Sequence, residues 1–461
     1  MMVEQNMLGK DASSQENVWK VRITRAMQLV LQHDELAVVL IFAIHVYVDW
    51  YLGLALSALL LAAGLLLIFF MLRSEQYPWV KPAALWLWIA FLLLAILPAL
   101  RGVRLLDSVY YYFNSLVNAL LVFWLGLLVA QDTASVRRLF KMLAFFAALL
   151  AIHTIIEART GIVLFKTSLY DKSLNDLLHF PLGSTGIHRA EAFMLNPDTN
   201  GAFFAFMLLL PLGLFIDSAT WRAKAFYLAE VILMALALLF TYSTGAWLSL
   251  AAGAVAFVIF VGSIRAGLQI TAFLGVIFLL IVVAFPAQIY GLAQHAAAAE
   301  EWSLRLGVWQ TAIRVILAFP LTGLGLGRYV YIARAEPYRV PAQFIPVYHP
   351  HNSYMEIAAL GGIPLGLIFC ALLGLALWMG WRNWRQIDPA SRAVLSGGLA
   401  SVLTLSFYSL NNAGWTLTPL LAGGWLILGA IASPLLLRKQ KTLLNADKQD
   451  VAIATGEERG A

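Results

Sequence analysis

Long apolar runs separated by short polar breaks occupy almost the whole chain. A helix that crosses a bilayer needs roughly 20 apolar residues, with about 17 to 25 tolerated. Runs of this kind fall near 36–51, 53–72, 82–100, 112–130, 142–158, 198–216, 224–242, 244–263, 267–286, 352–380, 393–411 and 416–437. The pattern predicts an all-α fold, a polytopic membrane bundle of about twelve transmembrane helices. Asp49-Trp50 followed by Tyr51-Leu52-Gly53 predicts a tight hairpin between the first two runs. Two connections are far longer than the rest, about 159–197 and 287–351, and loops beyond about 15 residues are usually functional. Residues 1–35 are polar and lack the apolar core and small-residue cleavage site of a signal peptide. They are read as a cytosolic tail, 36–437 as one transmembrane unit, and 438–461 as a second cytosolic tail.

Composition narrows the class. The chain is 61% hydrophobic and only 12% charged, where soluble domains carry about 25% charged residues. This excludes a soluble globular protein. Lys and Arg exceed Asp and Glu by 31 to 25; in a membrane protein that surplus encodes orientation and implies no nucleic-acid partner. Arg137, Arg138 and Lys141, Arg222 and Lys224, and Arg382, Arg385 and Arg392 all fall on one side once the N-terminus is set inside. Only Arg101 and Arg104 dissent. Both termini are then cytosolic and both long connections face outward. The single cysteine, Cys370, excludes an internal disulfide framework.

The second outward connection holds its own helix signal from Glu300 to Phe319. At 100° per residue Trp302, Arg305 and Trp309 share a face while Arg314 points the opposite way. By itself this amphipathic helix reads equally as an interfacial anchor. The same connection ends in Tyr348-His349-Pro350-His351-Asn352-Ser353-Tyr354-Met355-Glu356, where two histidines, an asparagine and a glutamate stand at the start of a new apolar run. Ionisable groups near a bilayer are costly unless they face protein or water. No third zinc ligand stands at recognisable spacing from His349 and His351, so no metal site is expected. In the first connection, Asn196 and Pro197 are a helix cap and first helical residue, a reading that extends to Asp198. Arg189 lies just before them; its planar fork suits a phosphate, but taken alone it reads first as a partner of a lipid headgroup or a carboxylate. Pro320-Leu321-Thr322-Gly323-Leu324-Gly325-Leu326-Gly327 lacks the strand and spacing of a nucleotide loop. Its glycines are expected to let the backbone pass close to another helix or a substrate. Asn411 and Asn412 are read as polar cross-links between helices.

Taken in order, four of these segments resemble the O-antigen ligase and O-antigen polymerase superfamily of bacterial membrane glycosyltransferases. They are Arg189 before Phe193-Met194-Leu195-Asn196-Pro197; Ser243-Thr244-Gly245-Ala246-Trp247; Arg305-Leu306-Gly307-Val308-Trp309 leading to Pro320-Leu321-Thr322-Gly323-Leu324-Gly325; and His351-Asn352-Ser353-Tyr354-Met355-Glu356 before Gly361-Gly362. The resemblance extends over roughly 185–370. It departs from the ligase branch at Ile363-Pro364-Leu365-Gly366, which leaves ligase and polymerase both open.

The resemblance implies transfer of a glycan from an undecaprenyl pyrophosphate carrier to an acceptor sugar hydroxyl, on a glycan or a lipid-linked acceptor. Transfer would take place on the outer face of the cytoplasmic membrane, with no metal and no cofactor. Carried over residue by residue, Arg189 and Arg305 are the pyrophosphate-binding residues and His351 the catalytic histidine. His349, Asn352, Glu356, Trp302 and Trp309 are supporting residues, with Glu356 at most orienting. An attack opposite the pyrophosphate inverts the anomeric centre. The rival from another class is a flippase for lipid-linked oligosaccharides, but such transporters bind near the midplane between internal repeats. No repeat is evident here, and the arginines and histidines gather in outer connections.

Overall fold

The computed structural model describes residues 28, 30–48, 53–74, 77, 85–161, 189–194, 196–261, 264–296, 299–327 and 329–437. The expected tails, apart from residues 28 and 30–35, and the middle of the first outer connection (162–188) lie outside the described residues. Among the described residues there is no strand. The helices are α1 Asp34–Val48, α2 Gly53–Arg73, α3 Leu85–Leu100, α4 Leu105–Val129, α5 Thr133–Thr160, α6 Pro197–Asp217, α7 Trp221–Thr241, α8 Thr244–Val261, α9 Ile264–Ala284, α10 Pro286–Ala296, α11 Ala299–Ala318, α12 Ser353–Gly361, α13 Ile363–Gln386, α14 Arg392–Tyr408 and α15 Thr418–Ala432.

Among the described residues, eight helices are long and apolar enough to cross a membrane, or nine with a bent pair counted as one span. The chain is a multi-pass helical membrane protein; the expected count of about twelve is not confirmed, because among the described residues α1, α2 and α3 fall short of a full apolar span and the run 267–286 belongs to the bent pair. The run 352–380 is two helices, because Gly362 (φ +86°) turns the chain between α12 and α13. Pro364, placed in the first turn of α13, sacrifices no hydrogen bond there. The run 267–286 ends where Pro286 follows Phe285, and α10 leaves α9 at 99°, as a residue before proline disfavours continued helix. The expected outer-face helix is present as α11.

The centre of the bundle is α15, every residue of which is buried, with α6 almost equally enclosed. Without a hydrophobic drive between helices in lipid, association rests on close packing at small residues. Gly126 of α4 faces Gly429 of α15, and a Cβ on Gly126 would come within 2.4 Å of the Leu426 carbonyl oxygen. Gly213 of α6 and Gly397 of α14 make the equivalent crossing. Around α15 the aromatic rings of Trp88, Phe123, Phe369 and Trp415 pack against Trp425 at centroid distances of 5.0–6.4 Å.

Charge is organised differently at the two ends. At the end bearing the basic connections, Arg137 and Asp217 form a two-point pair (2.6 and 2.9 Å) and Arg138 binds Glu35 at 2.7 Å. At the other end converge the C-termini of α5, α7 and α14 and the N-termini of α6, α8, α12 and α15. The two arginines that dissented from the orientation pattern lie here. Arg101 donates to the Thr322 hydroxyl, and Arg334 donates to the Arg101 and Leu324 carbonyls. Arg101 therefore clamps the glycine-rich loop.

Candidate active site

The geometry of Arg189 starts from a buried carboxylate. Glu157, in the last turn of α5, accepts the backbone N–H of Glu191 (3.1 Å) and of Ala192 (2.6 Å). Ala190 N–H donates to the Phe240 carbonyl at 3.0 Å, and Asn200 donates to the Ala190 carbonyl at 3.4 Å. The segment is thereby threaded between α5, α6 and α7. Asn196 caps α6 through the N–H groups of Asp198 and Thr199, as its sequence predicts. Arg189, only 6% exposed, donates from Nε to the Thr241 carbonyl (2.9 Å) and from Nη2 to Asp198 Oδ1 (2.7 Å). Thr241 is the last residue of α7, where carbonyls carry the negative end of the helix dipole.

His351 is held from three sides. Its N–H donates to His349 Nδ1 at 3.2 Å, its carbonyl accepts from Trp309 Nε1 at 3.4 Å, and the Asn412 side chain hydrogen-bonds its ring. Asn352 caps α12 through Met355 N–H and donates to the Leu410 carbonyl. Ser353 N–H donates to the Ser409 and Asn412 carbonyls, and Trp415 N–H donates to the Ser353 hydroxyl at 3.0 Å. The first turn of α12 is thus fastened to the 409–417 turn that carries Asn412. Burial, and then the positive charge of Arg305, hold the His351 imidazole down at about 4, with Asp198 and Asn412 pulling the other way. Burial and then His351 keep His349 well below the ordinary histidine range. Both rings, 4.4 Å apart, are therefore neutral at pH 7, and the hydrogen bond into His349 Nδ1 places the proton of that ring on Nε2.

Arg305, half-buried on α11, completes the group. Its charge acts on Asp198, His351 and Tyr408 together, and the Tyr408 hydroxyl donates to the Asp198 backbone carbonyl at 2.9 Å. Arg189 and, more than a hundred residues later, Arg305 and His351 thus meet around Asp198. The supporting residues divide. Trp309 and Asn352 touch or frame His351, and His349 fixes its backbone. Glu356 points away, accepting from the Thr416 hydroxyl at 2.7 Å and from Tyr111 at 3.5 Å, and burial lifts it to about 7. The side chain of Trp302 lies outside the described residues, and Arg314 is exposed as expected. The glycine-rich loop docks on the C-terminus of α12. Leu324 and Gly325 N–H donate to the Ala359 and Leu360 carbonyls, and at Gly323 (φ +61°) a Cβ would lie 2.3 Å from the Leu360 backbone.

Asp198, Tyr408 and Asn412 are the residues that sequence reasoning missed. Asp198 looked sufficient as part of a helix start, and Asn412 as a helix cross-link. A usable signal for Asp198 was Arg189 nine residues earlier, at the end of the first long connection. Strain adds a mark of its own. Among the described residues three non-glycines have positive φ: Ala192 (+44°), Tyr242 (+52°) and His351 (+48°). The first follows Arg189 by three positions, the second adjoins its partner Thr241, and the third is the histidine itself. Such backbone costs on the order of 1–3 kcal/mol per residue and gathers at functional sites. Among the described residues no three His, Cys, Asp or Glu side chains are grouped as a metal site.

Residues 229–370 match the family model described as O-Antigen ligase. No curated protein matches the chain. The matched stretch includes Arg305 and His351, whereas Arg189 and Asp198 precede it and Tyr408 and Asn412 follow it. The all-helical membrane architecture and this match over part of the chain support the resemblance to the O-antigen ligase and polymerase superfamily.

Proposed function

We propose that the protein transfers a glycan from undecaprenyl pyrophosphate to a sugar hydroxyl of a glycan or lipid-linked acceptor, at the outer face of the cytoplasmic membrane and with both termini cytosolic. The observation that carries this reading is the meeting of Arg189, Arg305 and His351 around Asp198. Arg189 spends one edge of its fork on Thr241 and Asp198, so donors on its other edge are open to a phosphate. Arg305 approaches from a separate helix. Two prepositioned guanidiniums stabilise a pyrophosphate more strongly as it gains negative charge on leaving than while it is still esterified.

His351 supplies the base. The neutral imidazole takes the proton of the acceptor hydroxyl as its oxygen forms a bond to the anomeric carbon. The bond from that carbon to the pyrophosphate oxygen breaks, and the electron pair departs with undecaprenyl pyrophosphate. Attack from the face opposite the leaving group inverts the anomeric centre. Neither metal nor cofactor is called on by these steps. The pyrophosphate also offsets the charge of Arg305 beside His351, which makes the imidazole a stronger base once the donor is bound.

The test uses the full chain in liposomes with an undecaprenyl pyrophosphate oligosaccharide and no separate acceptor, comparing wild type with Arg305→Ala and His351→Ala. A ladder of products lost in both variants supports a polymerase with this site. Donor consumed only when an acceptor is added supports a ligase. Donor that crosses the bilayer chemically unchanged sinks the transfer reading in favour of a flippase.

A further inference from the structure

The backbone of Asp198 is pinned from two sides. Its N–H donates to the Asn196 side chain at 2.8 Å, and its carbonyl accepts from the Tyr408 hydroxyl at 2.9 Å. Tyr408 ends α14, and the turn that follows also fastens His351. There Asn352 donates to the Leu410 carbonyl and Ser353 N–H to the Ser409 and Asn412 carbonyls. One corner of the fold therefore sets both Asp198 and His351. Around the carboxylate stand Arg189 from the first outer connection (2.7 Å), Arg305 from α11 and Ser243 at the opening of α8. Its charge also reaches His351 and Tyr408. In this ion pair the carboxylate is the accessible partner, the Arg189 side chain being 6% exposed and that of Asp198 26%. In the Arg137–Asp217 pair the order is reversed, 32% against 8%.

Two guanidiniums that act on one carboxylate away from bulk water are costly without a counter-ion. Asp198 supplies a negative charge at that place in the free protein. A pyrophosphate carries more charge and more acceptor oxygens, and a guanidinium pairs with phosphate as well as with carboxylate. Because the carboxylate is the exposed member, an incoming anion reaches the pair from its side. The bond to be replaced is the one from Nη2, while Nε remains on the Thr241 carbonyl. Arg189 is thus held in position while its partner changes. The displaced carboxylate stays tied through its own backbone to the corner that carries His351. A negative charge there favours the protonated imidazole.

We propose that Asp198 is an exchangeable counter-ion and positioning residue: it neutralises Arg189 and Arg305 in the free protein, yields Arg189 to the pyrophosphate of the donor, and then supports the imidazolium of His351. The proton of the acceptor hydroxyl goes to His351, and Asp198 stays ionised and takes none. The support of His351 rests on the transfer reading above; the exchange of anions does not. The test uses the full chain in lipid nanodiscs, with undecaprenyl pyrophosphate itself as the binding probe and transfer followed separately. Asp198→Asn is expected to bind the probe about tenfold more tightly than wild type, because the competing charge is gone, the scale being that of one neighbouring charge. Its kcat should fall by about tenfold, because the same charge no longer supports His351. Asp198→Glu should return both quantities towards wild type. Asp198→Ser, a second uncharged variant, carries the same expectations and keeps the test decisive if Asp198→Asn folds poorly. Probe binding that is equal or weaker in both uncharged variants overturns the exchange, and an unchanged kcat overturns the support of His351. A joint loss of binding and kcat that Asp198→Glu does not relieve makes Asp198 a structural pin of Arg189 and refutes the proposal. If wild type transfers no glycan while the uncharged variants still bind the probe more tightly, the exchange stands and the transfer reading falls.

Discussion

Two arginine–carboxylate pairs, one at each end of the bundle, are built to opposite plans. Arg137 closes on Asp217 through both Nε and Nη2, joining α5 to the end of α6. Arg189 meets Asp198 through Nη2 alone, gives Nε to a helix-terminal carbonyl, and shares the carboxylate's field with Arg305. The first pair closes on itself and holds helices together. The second divides its two donors between a carboxylate and a helix-terminal carbonyl, beside strained backbone and a histidine. The same two residue types therefore close on each other in one place and are shared with other groups in the other; both guanidiniums use Nε and Nη2, and what separates them is where those two donors go.

The sharpest break of this comparison is expected at the end that holds Arg189. His351→Ala and Arg305→Ala should lower transfer by about 10²–10⁴-fold, the range for a lost general base or a lost charge stabiliser, with the melting temperature little changed. Equal losses of folding and activity would refute a catalytic role. Arg189→Ala should cost transfer about 10²-fold and raise the donor KM. Its counterpart Arg137→Ala should leave turnover per folded molecule unchanged and lower stability by about 1–2 kcal/mol, a partly exposed pair being worth less than a buried one. Thermal unfolding and donor titrations on the two variants decide whether the contrast is real.

Acidity supplies a third probe. Because burial and Arg305 hold His351 at about 4, the base form is intact throughout the neutral range and is lost only as pH falls through about 4. The acid limb of kcat/KM, which reports the free enzyme, should lie there rather than in the ordinary histidine range. Arg305→Gln should move that limb upward in whatever activity remains. The smallest effect is expected at Glu356. Its carboxyl, raised to about 7 by burial, is protonated below that pH, and the contribution of the protonated form is lost as pH rises through it. Glu356→Gln mimics the protonated form and should keep nearly full transfer while flattening any loss of activity above neutral pH. A large defect in that variant would show that the charged carboxylate is needed.

Much of this was legible from patterning. The amphipathic face that groups Arg305 with Trp309 is present on α11, and the Asn196 and Asn352 caps follow from local chemistry that needs no partner. The glycines before Arg328 were rightly read as places of close backbone approach, and the surface they approach is the C-terminus of α12. The twelve runs were less faithful guides. Hydropathy counts apolar residues but does not register a left-handed glycine at 362 or a proline bend at 286. Asp198 was hidden because its local explanation as part of a helix start was already complete. The long-range partner that gives it a second meaning becomes visible only when the first outer connection is folded against α7.

The sequence by itself determined the medium, the helical class and the chemical types at the ends of the helices, because hydropathy, caps and charge act over a few residues. Tertiary structure alone decided which of those groups meet. Arg189, Asp198, Arg305, His351, Tyr408 and Asn412 come from six places along the chain, and no local periodicity encodes their convergence. Glu157, the tight crossing at Gly213 and Gly397, and the turn after α14 bring them together. Burial then lowers the dielectric around the group, so charges that would be screened in water set one another's protonation.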